Sequence, residues 1–303
     1  MKAVVIHEYG APEVLTFEET PDPVPGAGEV LVWVSATSIN PIDILRRSGA
    51  AKDLFPVMFP GILGVDLSGT VLELGSGVEG FSIGDPVFGI ADRTYAEFCV
   101  VKAAHLARIP DGLNVVEAAA LPLVTTTGHQ LISVGAEVQA GQTVLVTGTV
   151  GNVGRSAAFT AKDRGATVIA AVLTKQLEPA ASLGVDHVVA TDDDQAIANL
   201  PPLDAVADTV NGKTAEKLLS AVKKGGVFAS VLGVPQNSKD DSDIKVVPVY
   251  SQPDTKILQY MAQAVKNGRL VIPIGAKLPL EEAARGHTAV AKGGMGKVLL
   301  VRQ

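Results

Sequence analysis

The chain has 303 residues, with 25 Lys and Arg against 32 Asp and Glu and a formal charge of −7. At ~100–200 residues per domain this is a two-domain length, and the acidic balance, with no cluster of basic residues, excludes a nucleic-acid face. Apolar residues make up 47% and charged residues 19%, which excludes intrinsic disorder.

A single cysteine, Cys99, permits neither an internal disulfide nor a Cys-rich zinc site, and suits a reducing compartment, so the expected location is the cytoplasm. The apolar run near the start ends at His7 and Glu8, too early for a signal peptide. The most apolar later segment is broken by Lys162, Asp163 and Arg164, so no membrane partner is expected.

Residues 1 to about 110 read as β-rich, with short apolar runs at 2–6, 29–36, 68–74, 85–89 and 95–101 separated by Pro- and Gly-containing turns. From about 115 the pattern changes. Asn114 can cap a helix running through Glu117 toward Ser133. Strands are then expected at 143–147, 167–172, 187–190, 204–207, 227–232 and 245–249, with helices at 153–164, 176–183, 193–200 and 214–223 between them. Parallel neighbours need a long return connection, which a helix supplies, so six strands with helical crossovers predict an α/β doubly wound parallel sheet. The last 50 residues add a helix at 255–267 and a strand at 297–301.

Three glycine patterns invite a functional reading. Gly75, Gly77 and Gly80 fit G-x-G-x-x-G by letter, but Gly84, Asp85 and Pro86 follow, which cannot open a helix. Gly80, Ser82 and Gly84 fit a nucleophile elbow, but lack a strand before the serine and a helix after it. Gly148, Gly151 and Gly154 follow the strand at 143–147 and open a helix in which Val153, Ala157 and Ala161 recur every four residues, the face that packs on a sheet. A glycine at Gly151 leaves room for a pyrophosphate at the backbone N–H groups of Asn152 and Val153, and Gly154 lets the helix lie close on the strand. The helix N-terminus adds roughly half a positive charge toward the phosphates. The alternative is a tight turn without a ligand.

An NAD site usually places an acid about 20 residues further on to bind the ribose 2′-hydroxyl. Twenty residues beyond Gly154 stands Thr174, and Val172, Leu173, Thr174 and Lys175 contain no acid. A 2′-phosphate could be held by Lys175 and the Thr174 hydroxyl, so the expected cofactor is NADPH. The alternative for Lys175 is a solvated surface lysine.

The residues Pro25-Gly26-Ala27-Gly28-Glu29-Val30, Asn40-Pro41-Ile42-Asp43, Gly64-Val65-Asp66-Leu67-Ser68-Gly69, Phe81-Ser82-Ile83-Gly84-Asp85-Pro86, Thr94-Tyr95-Ala96-Glu97-Phe98, the Gly151 loop, and Gly293-Gly294 through Gly296-Lys297, in this order and spacing, resemble the medium-chain dehydrogenase/reductase superfamily. Within it they are similar to the zinc-independent quinone oxidoreductase branch that includes zeta-crystallin, over essentially the whole chain. The resemblance implies a GroES-like substrate domain at residues 1–117, a Rossmann NADP-binding domain at 118–266, and a return of residues 267–303 to the substrate domain. It also implies a cleft between the domains where nicotinamide meets substrate, and a homodimer.

Zinc-dependent relatives use an early Cys and a Gly-His-Glu, where this chain reads Ser38-Ile39-Asn40-Pro41 and Gly64-Val65-Asp66, and its five histidines show no metal-ligand spacing. Without a Lewis acid the expected acceptors are quinones or α,β-unsaturated carbonyls, which stabilise the developing anion themselves. Asn40 is the candidate donor to that oxygen, against a plain role in capping the turn before Pro41. Asp43 either orients this loop or water, or is a helix N-terminal acid. The tyrosine common two residues further on is replaced by Leu45.

By the same resemblance, Thr127 lies near the nicotinamide ribose, against ordinary helix packing with its hydroxyl bonded to a preceding carbonyl, and the backbone of Leu232, Gly233 and Val234 holds the carboxamide. Tyr250, after the sixth strand, either lines the same pocket or is a partly buried sheet-end tyrosine. Thr191 stands where relatives carry an adenine-side tyrosine. Arg155 either reaches a phosphate or sits in water. The reading is an NADPH-dependent, zinc-independent quinone or enone reductase. Its rival is a dinucleotide-binding sensor or structural protein with little catalysis.

Overall fold

The structure is a computed structural model, described here for residues 1–239, 243–294 and 296–303; residues 240–242 and Met295, inside the glycine-rich stretch before Lys297, lie outside the described residues. Chain contacts divide it into two units, Met1–Leu123 with Pro253–Gln303, and Val124–Gln252.

The first unit is β-rich. A three-stranded sheet runs in the order β2 (Thr16–Glu19), β1 (Lys2–Ile6), β4 (Gly61–Ile62). A larger sheet centres on β3 (Glu29–Ile39), which pairs with β5 (Asp66–Leu74) and β7 (Phe98–Lys102); β6 (Pro86–Ile90) and β8 (Leu106–Arg108) continue it beyond β5. Val30, Val32 and Val34 of β3 alternate into a core with Leu67, Val71, Val87, Cys99 and Val101, while Trp33 between them faces outward, the period-2 signature of a half-buried strand. The Gly75–Gly80 stretch connects β5 to β6, and no helix follows it.

Helix α1 (Pro41–Ser48) follows β3 and ends at Gly49 in the left-handed region. The end of the chain joins this unit: β15 (Ile274–Pro279) and β16 (Lys297–Val301) pair in parallel, and β16 pairs antiparallel with β3. Helix α8 (Thr255–Lys266), expected to close the nucleotide domain, packs on β8 of the first unit, so the observed division falls at Gln252 where the sequence places it at 266. Its residues Leu258, Met261, Ala262 and Ala264 are buried. Helix α9 (Ala283–Lys292) and strands β2, β4, β8 and β15 are additions to the expected elements.

The single helix expected toward Ser133 is three pieces: α2 (Val115–Ala118), capped by Asn114, then α3 (Pro122–Gln130), then a π-turn at Leu131–Gly135. Proline has no N–H to continue a helix and is accommodated in a first turn, so the break falls at Pro122.

The second unit is a six-stranded parallel sheet in the order β11 (His187–Ala190), β10 (Thr167–Val172), β9 (Thr143–Thr147), β12 (Leu203–Asp208), β13 (Val222–Ser230), β14 (Lys245–Pro248). Helices α4 (Asn152–Asp163), α5 (Leu177–Ala181), α6 (Asp194–Ala198) and α7 (Gly212–Leu219) connect successive strands. On β9, Val144 and Val146 join the cluster containing Ala157 and Ala161 of α4, whereas Leu145 joins the cluster containing Leu218 of α7. A strand that buries both faces needs helices on both, as the doubly wound reading requires. Strand order reverses between β9 and β12, which makes their carboxyl ends the switch point where ligands of such sheets bind.

Candidate active site

In the second unit the Gly148 to Gly154 loop, Thr174, Lys175, Thr191, the Leu232 to Val234 loop and Tyr250 follow the carboxyl ends of successive strands, and Thr127 lies on α3. Gly148 leaves β9 in the left-handed region at φ +61, and Gly151 is the N-cap of α4 with no side-chain cap. The first-turn amides of Asn152, Val153 and Gly154 therefore face the switch point without a capping oxygen from residue 151. A Cβ on Gly154 would lie 2.3 Å from the Gly148 carbonyl, so only glycine lets the helix start this close to the loop. The Asn152 Oδ1 is buried without a hydrogen-bond partner. These features fit a diphosphate: uncompensated N–H dipoles, no side chain in the way, and the positive end of a helix. The Arg155 Nε donates to the Val150 carbonyl at 2.9 Å and buttresses the loop.

Neighbouring strand ends build the rest of this edge. Asp208, fully buried at the end of β12, accepts from Thr147 Oγ1 at 2.9 Å and from Ser230 Oγ at 2.7 Å, tying β9, β12 and β13 together. It also accepts from the Val210 and Asn211 amides at 3.2 Å. Asn211 Nδ2 then donates to the Leu232 carbonyl at 2.8 Å, which holds the Leu232, Gly233 and Val234 loop. Thr127 lies nearly buried on α3, which packs against α4 so closely that a Cβ on Gly128 would lie 2.6 Å from the Val153 carbonyl. Tyr250 is 61% exposed after β14, and its segment is fixed by a reciprocal pair between Gln252 and Gln130 at 2.8 and 2.9 Å.

At the end of β10 the structure corrects the expectation that no acid stands there. The Asp192 Oδ1 accepts from both the amide and the hydroxyl of Thr174, each at 2.8 Å. These bonds hold the Asp192 carboxyl below its ordinary range, with Lys175 adding attraction. Thr191 is anchored by its amide to the Val172 carbonyl at 2.8 Å. Of the neighbouring acids, Asp193 caps α6, accepting from the Gln195 and Ala196 amides, whereas Asp192 turns to Thr174.

In the first unit Asn40 and Asp43 enter a buried polar cluster. Asn40 is 1% exposed; its Oδ1 accepts from Lys297 Nζ at 2.7 Å, and its Nδ2 donates to Asp66 Oδ2 at 2.8 Å and lies 3.3 Å from the Ser38 carbonyl. Both amide hydrogens have acceptors within the cluster, so Asn40 links Lys297 to Asp66. Asn40 is also the N-cap residue of α1, and Asp43 Oδ2 accepts its backbone N–H at 2.8 Å, one arm of a capping box. Asp66 Oδ2 further accepts from Ser38 Oγ and lies 3.3 Å from Lys297 Nζ, and Oδ1 accepts the Leu123 amide at 2.7 Å. Burial pulls the Lys297 ammonium below its ordinary value, with Asp66 opposing. Burial raises the Asp43 carboxyl to about 7.

A second chain runs into this cluster. His287 Nδ1 lies 3.3 Å from Arg47 Nη1, and its Nε2 lies 3.1 Å from the Tyr95 hydroxyl. Arginine offers only donors, so Nδ1 accepts and the ring proton sits on Nε2, directed at the Tyr95 oxygen. The Tyr95 O–H is then free to serve Asp43, whose charged form it favours. Burial, and Arg47 after it, depress His287 to about 3, so it is neutral. Cys99 is a buried strand residue whose thiol burial raises to about 12. Sequence reasoning missed Lys297, Tyr95, His287, Arg47 and Asp208 as site residues, because each acquires its partner from a distant segment.

Among the described residues there is no group of three or more His, Cys, Asp or Glu placed to hold a metal ion, and no helix long and apolar enough to cross a membrane. Residues 26–111 match the alcohol dehydrogenase GroES-like domain and residues 183–300 the zinc-binding dehydrogenase model. A solved quinone oxidoreductase from Coxiella burnetii is 30% identical, with a TM-score of 0.90, covering 100% of this chain and 99% of that one. The chain belongs to the medium-chain dehydrogenase/reductase superfamily. This makes it an oxidoreductase of a family that binds nicotinamide cofactors. A mycobacterial member solved in complex with NADPH is 27% identical over 99% of this chain and 100% of that one, with a TM-score of 0.85. An acryloyl-coenzyme A reductase from Sulfurisphaera tokodaii is 26% identical over 99% of each chain.

Proposed function

We propose that the protein is an NADPH-dependent, zinc-independent reductase of quinones or α,β-unsaturated carbonyls. The observation that carries this reading is the uncapped start of α4 behind Gly148, Gly151 and Gly154, at the point where strand order reverses. The quinone oxidoreductase and acryloyl-coenzyme A reductase relatives support the acceptor class. Lys175 and the relative bound to NADPH support the 2′-phosphorylated cofactor. Zinc independence is supported by the side chains in place of ligands: Asn40 and Asp66 are committed to Lys297, and Val65 offers no donor.

When bound, the reduced nicotinamide supplies a hydride, which with a proton from solvent reduces a quinone or the conjugated C=C of an enone. The Asn152, Val153 and Gly154 amides would hold the diphosphate, Asp208 positions the loops at Asn211 and at Leu232, Gly233 and Val234 that would receive the carboxamide, and Thr127 and Tyr250 would serve the nicotinamide side of the site. In the first unit Asn40 acts as a positioning residue: it fixes the turn into α1 through Lys297 and Asp66, and Asp43 holds its backbone. A cytoplasmic homodimer is part of the same proposal.

Stopped-flow loss of NADPH absorbance with 1,4-benzoquinone, 9,10-phenanthrenequinone and a 2-alkenal tests it. Turnover on any one supports the reductase. Tight binding without turnover on all three supports the sensor instead, and stoichiometric zinc in metal analysis would overturn zinc independence.

A further inference from the structure

A 2′-phosphate on the adenosine ribose would approach Thr174 and Lys175, the residues at the tip of β10. Thr174 can offer such a phosphate two groups, its amide and its hydroxyl, and both already donate to Asp192 Oδ1 at 2.8 Å. The placement of Asp192 is set by backbone: β11 pairs in parallel with β10 through Val172 and Ala190, and the Thr191 amide bonds to the Val172 carbonyl at 2.8 Å. The carboxylate therefore arrives from the end of the neighbouring strand and not from β10 itself. A phosphate entering here meets Lys175 as an attractive charge and Asp192 as a repulsive one. A ribose 2′-hydroxyl meets instead a carboxylate with acceptor sites to spare.

We propose that Asp192 is a specificity-determining residue that opposes Lys175 at the adenosine ribose, so that the protein uses NADH and NADPH with a narrow margin between them. The inference rests on the dinucleotide reading above and adds to it the residue that limits NADPH preference. A like-charge contact at a screened surface changes affinity by about tenfold, so the wild-type dissociation constants for NADPH and NADH are expected within about tenfold of each other.

Isothermal titration of wild type, Asp192→Asn and Asp192→Ser with NADPH and with NADH tests this. Asparagine keeps an acceptor for Thr174 and removes only the charge; serine also frees the Thr174 donors. Both variants are expected to tighten NADPH by about tenfold and to change NADH by less than threefold. The inference is overturned if both variants leave the NADPH-to-NADH ratio within twofold of wild type, or shift it toward NADH, while binding persists. If wild type binds neither nucleotide, the dinucleotide reading falls first and takes this inference with it.

Discussion

Two polar regions of the molecule are built on opposite logic. In the first unit Asn40, Asp66, Lys297 and Ser38 are buried and satisfy one another, so their charges and dipoles are consumed internally. At the carboxyl edge of the second unit the backbone is arranged so that the first amides of α4 have no capping side chain. Closed networks of the first kind fix a backbone, whereas an edge of the second kind recruits an anion. Polar residues in a family motif are therefore not all ligands: Asn40 belongs to the closed kind and Gly151 to the open kind.

The sharpest test of the closed network is Lys297→Met, which leaves Asp66 buried without its cation. A loss of about 3–5 kcal/mol in urea unfolding is expected, with Lys297→Met/Asp66→Asn recovering part of it. A loss below 1 kcal/mol would show that the pair is not buried as described. On the open edge, Gly154→Val places a side chain where even a Cβ would lie 2.3 Å from the Gly148 carbonyl. It should cost about 1–3 kcal/mol of stability and abolish dinucleotide binding in calorimetry.

The pH dependence of stability sharpens the contrast further. His287 is depressed to about 3 in the fold from an ordinary 6.5, so the unfolded chain takes up the proton first. Its stabilisation is present above pH 6.5 and is lost as pH falls from there toward 3, with a slope of up to about 1.4 kcal/mol per pH unit. Asp43 is raised from 3.8 to about 7, so its protonated form favours the fold at low pH, and that contribution is lost as pH rises from 3.8 through 7. Urea midpoints across pH 3–8 should show His287→Gln flattening the acid limb and Asp43→Asn flattening the opposing slope between pH 4 and 7. Unchanged profiles would mean that neither group is held as its surroundings imply. The smallest effect is at the surface. Lys175→Ala should leave unfolding unchanged and weaken NADPH by about tenfold more than NADH; equal weakening of both cofactors would remove Lys175 from the 2′-phosphate.

Much of the second unit was legible in the chain. Apolar runs such as 143–147 and 167–172, alternating with helices, encode a parallel sheet because each strand is buried on both faces. The Gly148 to Gly154 spacing is local, and local backbone demands can be read locally. The window after β10 misled because a carboxylate was sought within one strand, and Asp192 reaches Thr174 from the next. The helix toward Ser133 misled because the apolar periodicity was followed through Pro122, where the missing N–H ends it. The partners of Asn40 were out of reach for a related reason: Asp66 and Lys297 are 26 and 257 residues away.

By itself the sequence determined the two-part organisation, the doubly wound sheet and the glycine turn that opens its first helix, since these follow from periodicity and from residues within a few positions of one another. Only the tertiary structure decided that Lys297 closes a buried cluster on Asn40 and Asp66, that Arg47 sets the proton of His287, and that Asp192 takes the donors of Thr174. Hydrogen bonds and ion pairs act over a few ångströms in space, and no spacing along the chain reports which distant segments the fold will bring within that range.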